Sequence, residues 1–211
     1  MRFIIMHKTE PRWEAGAIPD AELIGRVGRM IGEMASAQVL RAGEGLRASS
    51  QGVRLRFAGG KRTVTQGPYT GSNELPAGFA ILRLASLEDA VEWAAKLVQV
   101  AGDAEIDIRP VTEPWDIGMG EKPQGLATRR FMLLRKADRN SEAGLPPTPA
   151  GASAMKQLIE EMSAAGVLLA VEALQPSSRG ARLKASGGRR TVSDGPFAEA
   201  KELIGGYVIV E

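Results

Sequence analysis

The chain has 211 residues, enough for one large domain or two small ones, and its 44% hydrophobic and 25% charged residues are those of a protein that folds and dissolves. A balance of 27 Lys and Arg against 25 Asp and Glu excludes a field strong enough to draw nucleic acid or an anionic membrane. The absence of cysteine excludes disulfides, thiolate metal sites and cysteine nucleophiles, and the apolar run at residues 3–6 falls far short of a signal sequence or a membrane span, so a cytoplasmic location is expected.

In chain order, Arg2 to Lys8 is too short an apolar run for a stable helix and predicts a strand buried on both faces. Leu23, Ile24, Val27, Met30, Ile31 and Met34 recur at helical spacing and predict a first helix. Val53-Arg54-Leu55-Arg56-Phe57 alternates apolar and basic, the pattern of a half-exposed strand. Gly59-Gly60 supplies a tight hairpin turn, with Arg62 to Thr65 as the return strand. Phe79 to Leu84 predicts another strand. Ser86 caps a second helix through Leu87, Ala90, Val91, Ala94 and Leu97, and Glu105 to Arg109 closes the series as a strand. Glu113 to Thr128, with Pro114, Gly118, Gly120, Pro123 and Gly125, has no apolar periodicity and reads as a linker packed down by Trp115. Phe131 to Leu134 then predicts a strand, and Met155, Leu158, Ile159 and Met162 a helix.

The second series repeats the first. Arg2-Phe3 recurs as Arg130-Phe131, Glu33-Met34 as Glu161-Met162, Gly59-Gly60 as Gly187-Gly188, Arg62-Thr63-Val64 as Arg190-Thr191-Val192 and Gly67-Pro68 as Gly195-Pro196, all 128 positions apart. Laid on residues 130–211 without a gap, residues 2–83 are identical at 32 of 82 positions, and a tandem duplication follows. The expected organisation is a first unit at 1–112, a linker at 113–128 and a second unit at 129–211. The second unit has no counterpart of Leu84 to Val111, so either the natural chain continues or this copy is incomplete.

The order strand, helix, hairpin, strand, helix, strand predicts an α+β fold. It reads as two ferredoxin-like βαββαβ units, each with an extra β-hairpin and the second incomplete. Helices on one side leave the other side of each apolar sheet bare, and a second sheet is the simplest cover. Sheets paired in this way make a dimeric α/β barrel, formed inside one chain as a pseudo-dimer or between chains as a homodimer.

Arg189-Arg190-Thr191-Val192-Ser193-Asp194-Gly195-Pro196-Phe197-Ala198-Glu199-Ala200-Lys201-Glu202, followed by Gly205-Gly206-Tyr207, resembles the signature of the YCII-related, or DGPF-domain, family. The first copy carries a degenerate form in Gln66-Gly67-Pro68-Tyr69, with Glu92-Trp93-Ala94 and Ile108-Arg109-Pro110-Val111 also similar to that family. The resemblance implies a ferredoxin-like fold assembling into dimeric α/β barrels, with some relatives encoded beside sigma factors of the extracytoplasmic-function type. It also implies, from better-understood relatives, a His and Asp acid/base pair with the His near the start of the first helix. Neither Pro19-Asp20-Ala21-Glu22 nor Pro149-Ala150-Gly151 contains such a His.

Several residues qualify for chemistry. His7, the sole histidine, ends the first strand with a pKa range suited to proton transfer, and its counterpart is Arg135. Asp194 can act as turn former or general base, whereas its counterpart Gln66 cannot act as a base. Arg54, Arg56, Lys61 and Arg62, with Arg182, Lys184, Arg189 and Arg190, form basic ribbons. Of these, Arg62 and Arg190 are the candidates to hold a carboxylate, with Glu44 and Glu172 beside the hairpins. Phe57 faces the opposite side of its strand, so no stacking platform for nucleic acid is expected. One His and no Cys leave no metal-ligand spacing, no pattern marks a nucleotide loop, and no cofactor is expected. Three functions follow: binding a small anionic organic molecule in the barrel pocket, acid/base catalysis of a lyase or hydrolase type on a small ring compound, or a regulatory module associated with a sigma factor.

Overall fold

A computed structural model describes residues 1–71, 74–197 and 203–211. Eleven strands and five helices occur among the described residues, in the order β1 (Phe3–Lys8), α1 (Pro11–Glu14), α2 (Ala21–Ser36), β2 (Leu40–Gly45), β3 (Val53–Ala58), β4 (Lys61–Gln66), β5 (Pro76–Leu84), α3 (Leu87–Ala101), β6 (Ala104–Pro110), β7 (Arg129–Lys136), α4 (Arg139–Glu142), α5 (Pro149–Ala164), β8 (Leu168–Ala173), β9 (Ala181–Ser186), β10 (Arg189–Asp194) and β11 (Ile204–Val210). The protein is a mixed α+β structure with antiparallel sheets. The helices start where side-chain oxygens satisfy free backbone N–H groups. Leu23 N donates to Asp20, Asp89 N to Ser86 and Gly151 N to Thr148. β2 and β8, and the single-turn helices α1 and α4, go beyond the elements read from the sequence. Leu40-Arg41-Ala42-Gly43 alternates too briefly, and across a glycine, to announce a strand.

The two repeats exchange strands. β5 of the first repeat lies between β7 and β8 of the second, and β11 of the second lies between β1 and β2 of the first. Ile81 faces Met132 and Ala170, while Ile209 faces Ile4 and Ala42, which is the same register moved by 128 positions. The larger sheet runs β4-β3-β6-β7-β5-β8, the smaller β1-β11-β2, and β9 with β10 forms a separate hairpin.

Strand alternation divides the interior into two layers. On one side of the larger sheet, Leu55, Leu82, Ile106, Ile108, Phe131 and Leu133 pack under Ala94 and Val98 of α3 and Leu158 and Met162 of α5. On its other side, Phe79, Ile81, Met132 and Leu134 meet Ile4, Met6, Ala42, Tyr207 and Ile209 of the smaller sheet. The Phe79 and Tyr207 rings lie 4.8 Å apart at its centre.

Two expectations about burial are corrected. β7 is buried on both faces, but its counterpart β1 is half buried on one face, at Ile4 and Met6, and open on the other, with Phe3 57% and Ile5 53% exposed. The reason is that α3 and α5 together cover the outer face of β7, whereas α2 packs beside β2 and leaves its own Val27 and Met30 exposed. β3 is not half solvated at Arg54, which is buried with the partners described next.

Candidate functional site

Polar residues at inward-facing strand positions converge at one end of the layer between the sheets. Arg54 follows the alternation of β3 onto the face opposite Val53 and Leu55, and Asp107 sits across from it on β6. The two meet in a bidentate pair, Arg54 Nε to Asp107 Oδ1 at 2.7 Å and Nη2 to Oδ2 at 3.0 Å. Nη2 also donates to Glu74 at 2.8 Å and Nη1 to the Thr70 carbonyl at 3.2 Å. Lys136, the last residue of β7, pairs with Asp107 at 2.8 Å and with Glu74. Glu105 lies 3.4 Å from Arg54 at the outer edge. Arg54, Glu74, Asp107 and Lys136 are all buried, and Lys136 comes from the second repeat, so the cluster requires both.

Burial governs the proton affinities here. It pulls the Lys136 ammonium down to about 6, with the charges of Arg54 and Lys8 adding to the effect. It pushes Asp107 up from the usual carboxylate range, against the opposing pull of Arg54. Burial works against the Arg54 guanidinium too, but pairing with Asp107 and Glu105 outweighs it and leaves that group raised. The Arg54 guanidinium stacks 4.4 Å above the ring of Tyr69. The Tyr69 hydroxyl is buried with no hydrogen-bond partner among the described residues, and its ionisation is raised, by burial first and Asp107 second.

A second group adjoins the first. Arg109, 3% exposed, donates through Nε to the Arg47 carbonyl at 2.8 Å, through Nη1 to the Ile204 carbonyl at 2.7 Å and through Nη2 to Glu14 at 3.1 Å. It thereby ties β6 to β11, to the turn after β2 and to α1. Glu14 also accepts from Ser49 N at 2.8 Å, and Glu142 accepts from Ser177 N at 3.1 Å in the other repeat.

The residues singled out in the sequence lie elsewhere. His7 sits on the outer side of β1, where its ring occupies the space a side chain at Gly205 or Gly206 would need. Burial, and then Arg109, lowers its pKa. Arg62 points to the helix side and pairs with Glu92 at 2.9 Å. Glu44 pairs with Arg130 and Glu172 with Arg2. Asp194 is exposed at the end of β10, and Arg190 is exposed at the other end of that strand, at a shallow concavity of the hairpin tip. Phe197 lies under Arg182 at 4.4 Å, as Tyr69 lies under Arg54. Ala198 to Glu202 of the signature are outside the described residues. Arg54 and Asp107 were legible as polar residues flanked by apolar ones inside strands, but nothing local shows that the face they share is covered. Among the described residues no group of three or more His, Asp or Glu could hold a metal ion, and no helix is long and apolar enough to cross a membrane.

The YCII-related domain family model matches residues 1–115 and again 130–211. The chain belongs to the YCII-related family. Two matches in one chain agree with a tandem arrangement of YCII-related sequence, and the exchanged strands interlock the two matched segments. No curated protein and no solved structure matches the chain. The paired glycine-proline steps of the two YCII-related segments are built alike. Both Gly67-Pro68 and Gly195-Pro196 are cis, and a Cβ at Gly67 or Gly195 would lie 1.8 or 1.9 Å from the carbonyl oxygen of Ser49 or Ser177. Only glycine lets these backbones approach.

Proposed function

We propose that the protein transfers a proton to or from a small organic molecule at the cluster of Arg54, Glu74, Asp107 and Lys136, with Lys136 and Asp107 as the proton-carrying couple. One observation carries this reading. Burial raises the proton affinity of a carboxylate and lowers that of an amine 2.8 Å away, bringing the two towards each other, the condition under which general acid–base catalysis is most effective. Arg54 holds both carboxylates in place, and the unpartnered Tyr69 hydroxyl offers a further donor. Arg54, Arg109, Lys136 and the nearby Lys8 stand against Glu14, Glu74, Glu105 and Asp107, four cations to four carboxylates. That balance favours a proton or a neutral molecule over an anionic ligand.

The same reading takes the run β6-β7-β5-β8 as a ferredoxin-like sheet assembled from both repeats, with the hairpin β3-β4 added at its edge. The facing smaller sheet is its incomplete partner, and the pair is the intrachain form of a dimeric α/β barrel. The strand order and the apolar layer between the sheets support it.

The test is a titration of ¹³Cε-labelled lysines by NMR, with the Lys136 signal assigned through Lys136→Met. A midpoint near 6 that moves in Asp107→Asn supports the couple. A midpoint at the ordinary lysine value of about 10.4 removes the mechanism. Solvent deuterium incorporation into a panel of small lactones and enolisable acids then identifies the substrate, with loss expected in Lys136→Met and retention in His7→Ala.

A further inference from the structure

Lys136 is the one buried lysine among the described residues, whereas Lys61, Lys96, Lys122, Lys156 and Lys184 are exposed. Its amine lies 2.8 Å from Asp107 Oδ2 and donates to Glu74 Oε2. Arg54 holds the same two carboxylates from the other side, with Nε and Nη2 on the two oxygens of Asp107 and Nη2 also on Glu74 Oε1. The amine is thereby fixed between two groups able to take up and return a proton. Burial first, and then the charges of Arg54 and Lys8, make the place a poor one for an ammonium. A lysine is a nucleophile only when uncharged, and desolvation beside another cation is how a protein keeps it so. Arg54 itself cannot take this part, because a guanidinium keeps its proton.

We propose that Lys136 forms an iminium with a small neutral aldehyde or ketone, with Asp107 and Glu74 moving the protons and the Tyr69 hydroxyl donating to the carbonyl oxygen. This step goes beyond proton transfer and rests on that reading, since both need the same uncharged amine. Nζ adds to the carbonyl carbon while the π pair moves to oxygen, and the nitrogen passes a proton to a carboxylate. The oxygen takes up protons from the acid forms of the carboxylates and leaves as water, and the nitrogen lone pair closes the C=N bond. One amine, one carbonyl and one proton thus give one iminium and one water, and hydrolysis reverses the sequence. The iminium draws electrons from the neighbouring carbon, from which the Asp107 carboxylate then removes a proton. The surroundings set the substrate class. Lys136 is only 6% exposed, which admits a compact molecule alone, and the balanced charges around it favour a neutral carbonyl compound over a keto acid. The Tyr69 hydroxyl, buried without a hydrogen-bond partner among the described residues, is a donor that burial keeps protonated.

The probe is acetone, incubated with the full chain at neutral pH and then treated with borohydride, which reduces an iminium to a stable secondary amine. The expected product is heavier by the mass of acetone less one oxygen atom. Peptide mapping is expected to place the label on Lys136 at about tenfold or more over any exposed lysine, because a solvated lysine is almost wholly ammonium at neutral pH. Tyr69→Phe is expected to slow the labelling about tenfold or more, by removing the donor to the carbonyl oxygen, with an unfolding midpoint no lower than the parent's. Absence of label on Lys136, label spread evenly over the exposed lysines, or equal labelling of parent and variant overturns the proposal. The NMR titration separates its failure from that of the proton-transfer reading. A Lys136 midpoint near 6 without an adduct leaves proton transfer standing and removes the iminium, and a midpoint at the ordinary lysine value removes both.

Discussion

Arg130 of the second repeat pairs with Glu44 of the first, and 128 positions earlier Arg2 of the first repeat pairs with Glu172 of the second at 2.5 Å. Such reciprocity, in which residue i meets j and the equivalent of j meets the equivalent of i, is the mark of a two-fold interface, here enclosed in one chain. The two pairs differ in setting. The Arg130 side chain is 18% exposed and also grips Glu113 through Nε and Nη2 at 2.9 and 2.8 Å, whereas that of Arg2 is 55% exposed. Hydrogen bonding to Glu113 first, opposed by burial, and then to Glu44 raises the Arg130 pKa above its usual value. Arg130→Ala is expected to cost about 2–3 kcal/mol in urea unfolding, because it strands the buried Glu113 and the half-buried Glu44. Arg2→Ala is expected to cost under about 1 kcal/mol. Equal effects would show that the exposures do not matter.

Lys136 makes stability depend on pH in a definite direction. Its folded pKa, about 6, lies below the ordinary 10.5, so between those values the unfolded chain binds a proton that the folded chain does not. Stability therefore rises with pH across this window and the contribution levels off below about 6. Lys136→Met removes that rise, up to about 1.4 kcal/mol per pH unit. At neutral pH the variant also leaves buried Glu74 without a partner, a loss set against relief of the proton penalty. Unfolding curves collected from pH 6 to 10 distinguish the two effects, and a variant with the parent's slope would contradict the assignment.

Tyr69→Phe deletes a hydroxyl that is buried without a hydrogen-bond partner and installs the residue that the second repeat already has at Phe197. Leaving a buried polar group unsatisfied costs about 1–3 kcal/mol. The variant is thus expected to be as stable as the parent or more so, while any proton-transfer activity falls. Thermal unfolding and turnover measured side by side check both halves of this statement.

Equivalent strand positions should respond unequally to the same truncation. Leu133→Ala empties a site under α3 and α5 and is expected to cost about 2–5 kcal/mol. Ile5→Ala, on the exposed face of β1, is expected to cost under about 1 kcal/mol. Gly67→Ala belongs with the severe changes, because its Cβ would lie 1.8 Å from the Ser49 carbonyl oxygen, and a loss of about 3 kcal/mol or more is expected in chemical denaturation.

Periodicity and repetition decided what is local in this protein. The apolar stripe at Leu23, Val27 and Met30, the cap at Ser86 and the glycine turn at residues 59–60 each depend on a few neighbours in the chain, and each is found where the residues place it. The offset of 128 likewise carries over to element boundaries such as Ala21 and Pro149 or Pro76 and Ile204. Tertiary structure alone decided which strand lies beside which. β5 and β11 have the same pattern as any buried strand, and backbone hydrogen bonds do not discriminate between the two repeats that can receive them, so the exchange leaves no local trace. That exchange, together with the facing sheet, carries Lys136 to Asp107 and shuts water away from Arg54. A charged residue in a strand is a surface feature until something covers its face, and the cover comes from residues distant in sequence.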